Sequence, residues 1–122
     1  MTNQEIYDDL GQIGVVALVC MEMAGSDGKV DKVEIEEIIK VVKFFSDEDP
    51  EPPIMKAIDY FNKLEMEKRV NFIINGLKHL GEVLKDATKK NILLALAAVA
   101  EADGIVDENE QLVYNTAKKI LS

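Results

Sequence analysis

At 122 residues, 48% of them hydrophobic and 30% charged, the chain has the size and composition of one soluble globular domain with its own core. Asp plus Glu number 23 against 14 Lys plus Arg, a formal net charge of −9. That balance disfavours nucleic-acid phosphates and anionic membranes; it suits metal cations or basic protein surfaces, and it also serves simply to keep a protein dispersed.

The N-terminal stretch MTNQEIYDDL is polar and acidic, unlike a signal peptide. A first helix is predicted from about residue 3 to 24, bent near Gly11 and Gly14. Its second half is apolar on every side, the pattern of a helix enclosed by others. It carries the one cysteine, Cys20, inside VVALVCM, where an inert thiol is expected. A second helix follows from Asp31 to about Phe45, with Val33, Ile38, Val41, Val42 and Phe45 on or near one face. SDEDPEPP, residues 46 to 53, reads as an exposed break.

A third helix is expected from Ile54 to Lys63 and a fourth from about Glu65 to Leu80, with Gly81 closing it. The fifth, about Leu84 to Ala102, is Ala-rich and apolar all round between Ile92 and Ala100; the sixth begins at Asp107 and uses Leu112, Val113, Ala117, Ile120 and Leu121. No stretch alternates as a strand does, so the fold class is all-α, a compact bundle of about six to seven helices in a single domain spanning 1–122. The apolar runs fall short of the roughly 20 residues needed to cross a bilayer, so no membrane insertion and a cytoplasmic location are expected.

The chain repeats itself. DGKVDKVE at 27–34 returns as DGIVDENE at 103–110, each after an apolar helix, so that residues of about 13–45 align with those of about 89–121. Two helix–DG turn–helix units related by a pseudo-twofold axis follow, with the two all-apolar helices at the centre. The repeated pattern has a structural reading and a binding reading. Structurally, Gly28 and Gly104 suit a left-handed helix end, and Asp31 and Asp107 are good N-caps. Glu34 and Glu110 stand where a capping-box side chain reaches back, and Val30 and Val106 are placed to staple the turn. Asp27 and Asp103 fit less well, because an anion at a helix C-terminus opposes the macrodipole by a few tenths of a kcal/mol to about 1 kcal/mol. A cation at the corner would offset that. The pattern matches the second half of an EF-hand loop, whereas Met23 and Val99 occupy the places of its opening acid. Each corner alone is therefore poor in oxygens, and the two together would be richer. With no His or Cys in the set, Ca²⁺, Mg²⁺ or Mn²⁺ is the class of ion it suits.

VALVCMEMAGSDGKVDKVEIEEI and LLALAAVAEADGIVDENEQLV resemble the TerB-like family, named for tellurite resistance and also seen in the N-terminal region of membrane-tethered DnaJ-type co-chaperones. The resemblance spans nearly the whole chain, with no diagnostic motif between about 46 and 85. It implies an all-helical pseudo-twofold fold, an acidic metal site and a stress-response role through protein complexes. Carried over by position, that site is Asp27, Asp31, Glu34, Asp103, Asp107 and Glu110. Gly25 stands where the second copy has Glu101, so the first corner is the poorer one. Tellurite itself is an oxyanion, which these acids would repel.

Catalysis is not expected. His79 is the only histidine and reads as an ordinary, partly exposed helical residue; there is no Glu-x-x-His pair and no phosphate-cradling loop. The function expected is a non-enzymatic module that binds a divalent cation and joins a protein assembly. The alternatives are a metal-free helical interaction domain and, third, a metal-assisted hydrolase using the same carboxylates.

Overall fold

The computed structural model describes residues 2–23, 32–44, 46–103 and 108–122, with the backbone alone at 34, 66, 99–103, 109 and 110. Six helices account for nearly all of it, and no strand occurs among the described residues. They are α1 (Asn3–Met23), α2 (Lys32–Lys43), α3 (Glu51–Lys63), α4 (Met66–Val83), α5 (Asp86–Asp103) and α6 (Glu108–Leu121). No helix among the described residues is long and apolar enough to cross a membrane.

The core is built around α1. Every residue from Ile13 to Met23 is buried, and α1 packs against all five other helices. Its sequence, apolar but for Glu22, is what such a position requires, since no side of it faces water. Of the surrounding helices α2, α3, α4 and α6 are amphipathic, and each of the five contributes one stripe: Ile38, Val41 and Val42 from α2, Ile54, Ala57 and Phe61 from α3, Ile73, Leu77 and Leu80 from α4, Ile92 and Leu96 from α5, Val113, Ala117 and Leu121 from α6. Each large aliphatic or aromatic side chain removed from water contributes about 1.5–3 kcal/mol. With no Trp and few aromatics, the core reaches density through Leu, Ile, Val, Met and Ala instead.

One of the two expected bends in α1 is present. Gly11 sits at φ 70° and ψ −179°, a conformation essentially reserved for glycine, and it breaks the helix into two segments. Gly14 stays helical. The N-terminal segment is pinned by its own contacts. Tyr7 donates a hydrogen bond to the carbonyl of Phe72 and packs its ring 4.8 Å from that of Phe72, while Asp9 pairs with Lys56 at 3.1 Å.

Several sequence expectations are corrected. Pro52 and Pro53 lie inside the first turn of α3, which begins at Glu51; early helical positions have no intrahelical acceptor for an N–H, so proline loses nothing there. Gly81 does not close α4, which runs on to Val83. It is a contact glycine: a Cβ there would lie 2.5 Å from Cγ2 of Ile120, so α4 and α6 approach through the missing side chain. Val33 and Leu112, expected on buried faces, are 66% and 49% exposed.

The larger correction concerns α5. It is not a second enclosed helix. Leu94 is 70% exposed, although its counterpart in the first repeat, Leu18, is completely buried. The cause is the segment between the repeats. α3 and α4 lie on α1, and Arg69 of α4 reaches Glu22 on the face that also carries Leu18; α5 leaves its equivalent face in solvent. Local sequence is duplicated, but its surroundings are not.

Candidate functional site

The helices that carry the two DG corners pack together: α1 with α2, α5 with α6, and α5 with both α1 and α2. α2 opens at Lys32 and α6 at Glu108, directly after Asp31 and Asp107, so the two second helices of the repeat start in register (108 − 32 = 76, the spacing of the repeat). Asp27, Asp31 and Asp107 themselves lie outside the described residues, as do Gly28, Gly104, Val30 and Val106. Glu34 and Glu110 are the third residues of α2 and α6, and Asp103 is the last residue of α5; their side chains lie outside the described set. Convergence of the six carboxylates is therefore an expectation on which the described residues do not bear.

What is described is the electrostatics of the helix tails. α2, α3 and α6 end with basic residues in the last turn, namely Lys40 and Lys43, Lys63, and Lys118 and Lys119. Such cations complement the partial negative charge of a helix C-terminus. α1 and α5, the helices that lead into the corners, have no basic residue in the last turn, and neither does α4, which leads into no corner. Asp103 adds a carboxylate to the tail of α5.

The tail of α1 is organised by a buried ion pair that sequence reasoning missed. Glu22 Oε2 accepts a hydrogen bond from Arg69 Nε at 2.8 Å, and the two side chains are only 5% and 6% exposed. The Arg69 guanidinium also lies 4.2 Å above the ring of Phe61. A single anion in a helix whose neighbours are all apolar must find a partner or a proton, because an isolated buried charge is too costly. Glu22 within VVALVCMEMA was thus the available signal. The position has no charged counterpart in the second repeat, where residue 98 is Ala.

His79 is more constrained than an ordinary surface histidine. Its side chain is 17% exposed, its ring stacks on Tyr7 with centroids 5.8 Å apart, its Nδ1 is 3.2 Å from Nε2 of Gln4, and its Nε2 is 3.7 Å from Oδ1 of Asp8. Cys20 is buried as expected, and desolvation pushes its thiol up to about 12, which leaves it protonated and unreactive at neutral pH. Among the described residues no three His, Cys, Asp or Glu side chains are grouped as a metal site.

A model of the family described as tellurite resistance protein TerB matches residues 12–122. No curated protein and no solved structure matches. The match takes in both repeats, both corners and the intervening α3 and α4, so the chain belongs to the TerB family.

Proposed function

We propose that this TerB-family protein is a non-enzymatic cytoplasmic module that holds a hard divalent cation at its acidic corners and acts in tellurite-type stress resistance through protein complexes. The acids assigned to the ion are Asp27, Asp31, Glu34, Asp103, Asp107 and Glu110, and the ion is Ca²⁺, Mg²⁺ or Mn²⁺. The observation that carries the reading is the tail of α5. It ends on a carboxylate with no basic residue in its last turn, whereas α2, α3 and α6 end basic and α4, also without a basic residue there, ends on Val83. An anion at a helix C-terminus costs stability, and a cation offsets the cost. The bound ion would supply charge and a cross-link between corners, a surface that a partner reads; no step of chemistry is assigned to it.

A second reading, a metal-free helical interaction domain, is favoured by the register of α2 and α6, which open directly after Asp31 and Asp107 as N-capped helices should. Backbone NMR separates the two. In a titration with Ca²⁺, Mg²⁺ and Mn²⁺, the Gly28 and Gly104 amides move saturably if a cation is held. If neither amide moves at millimolar ion, the corners serve folding alone.

A further inference from the structure

The family match begins at residue 12, one residue past the break in α1, so the segment before the break lies outside the matched domain and is seated on it. Of residues 2–10 only Tyr7 and Leu10 are buried, and both rest on glycines. The Tyr7 ring lies against Gly76 of α4, where a Cβ would stand 3.2 Å from Cε1 of Tyr7 and 3.1 Å from Cγ1 of Val15. Leu10 lies on Gly14, where a Cβ would stand 2.8 Å from that of Leu10; the three nearest atoms outside the helix's own backbone all belong to Leu10. The Tyr7 hydroxyl donates to the carbonyl of Phe72, Asp9 reaches Lys56 of α3 at 3.1 Å, and Asp8 lies 3.7 Å from Nε2 of His79. A groove flanked by α3 and α4 is thus filled by the chain's own N-terminal segment.

We propose that residues 2–10 are a removable strap over a docking groove, and that the groove takes in their place a short acidic helix of a partner protein, built on the pattern tyrosine, acid, acid, leucine. The chemistry of that occupant follows from the groove. Gly76 leaves room for a flat ring, and the Phe72 carbonyl accepts from a hydroxyl at the ring's end. Lys56 and His79 face the two carboxylates, and the bare Gly14 receives the leucine. This is helix-in-groove recognition, with apolar anchors for affinity and rim charges for register. The chain's net charge of −9 opposes an acidic helix only at longer range, where salt screens it beyond about 8 Å at physiological ionic strength.

The strap is built to leave. Its helix runs only from Asn3 to Leu10, shorter than the roughly 12–15 residues at which an isolated helix holds itself in water, so it depends on the groove. Gly11, at φ 70° and with nothing within 4 Å of its Cβ position, lets it swing without disturbing the buried residues 13–23. A segment with two buried side chains belongs to the low-stability end of such a structure. The proposal does not rest on the corner reading.

The test has two parts, both on the full chain. In wild type, the amides of Tyr7 to Leu10 should exchange with solvent at least roughly a hundredfold faster than those of residues 15–20. A capped peptide of the strap's own sequence, TNQEIYDDL, is then titrated in and followed through the Phe72, Gly76 and His79 resonances. Gly14→Ala, whose Cβ displaces Leu10 at an otherwise helical position, should bind it saturably. Wild type should bind it at least about tenfold more weakly, because the tethered strap competes at high effective concentration. The peptide with its tyrosine replaced by alanine should not bind. Should Gly14→Ala fail to fold, Asp9→Lys sets like charges at the exposed Lys56 pair and loosens the strap instead, with the same order expected. The proposal is overturned if Tyr7 to Leu10 exchange no faster than residues 15–20, if no released variant binds peptide at millimolar concentration, or if wild type and variants bind it equally. Released variants that dimerise by trading straps also overturn it, since a second copy would then be the occupant.

Discussion

Replacing Arg69 by Met should be among the most damaging single changes available in this chain. Met keeps most of the apolar stem and removes the guanidinium, leaving the Glu22 carboxylate, 5% exposed, without the cation that it accepts a hydrogen bond from at 2.8 Å. Breaking a buried pair in this way costs about 3–5 kcal/mol, and the lost stacking on Phe61 adds up to about 2 kcal/mol more. With an unfolding entropy of roughly 2.1 cal/mol/K per residue over 122 residues, 3–5 kcal/mol corresponds to a fall in Tm of about 12–20 °C. The chain has no Trp, so urea and thermal unfolding are best followed by far-UV circular dichroism. The double variant Glu22→Leu with Arg69→Met removes both charges and should recover most of the loss, because an apolar pair of similar volume is often neutral or stabilising. A single-variant cost below about 1 kcal/mol would refute the reasoning, as would a double variant no more stable than Arg69→Met. Either result would mean that water reaches the pair and screens it.

Gly11→Ala should cost about 1–3 kcal/mol in urea unfolding through backbone strain alone, since φ 70° disfavours any Cβ and no atom crowds the position. Gly81→Ala should lose about 1–3 kcal/mol by overpacking against Ile120, and Ile120→Ala should restore part of it in the double variant; additive losses would exclude that contact as the cause. Cys20 should react with a thiol reagent only on unfolding, given burial and a thiol pushed up to about 12; reaction with folded protein at neutral pH within minutes would contradict its placement in the core.

Much of this fold can be read from period and punctuation. The apolar stripes of α3, α4 and α6 place Phe61, Ile73 and Val113 in the core, and an uninterrupted apolar run marks the buried half of α1. The same rule fails on α5. Leu94 and Leu18 stand at equivalent points of the repeat, and composition alone cannot say which one receives the cover of α3 and α4. Proline and glycine mislead for a related reason: Pro53 and Gly81 are breakers in isolation, but the first turn of α3 needs no N–H and α4 needs room for Ile120. The Glu22–Arg69 pair spans 47 residues of sequence, a separation at which charge pairing leaves no local periodicity. The family was legible because the DG pattern is written twice, with both copies inside the matched residues 12–122.

For the corners, the decisive measurement is the sign of the Asp27→Asn and Asp103→Asn effects on stability with and without divalent ion. In EDTA Asp103→Asn relieves an anion at the tail of α5, and the repeat leads to the same expectation for Asp27→Asn; each should raise stability by a few tenths of a kcal/mol to about 1 kcal/mol. In excess Ca²⁺, Mg²⁺ or Mn²⁺ the wild-type chain gains about 1.4 kcal/mol for every tenfold excess of ion over Kd, and the variants should fall below it. A crossing of the two stability orders is the result expected of a cation-holding corner. Variants that keep the same rank at every ion concentration would contradict it.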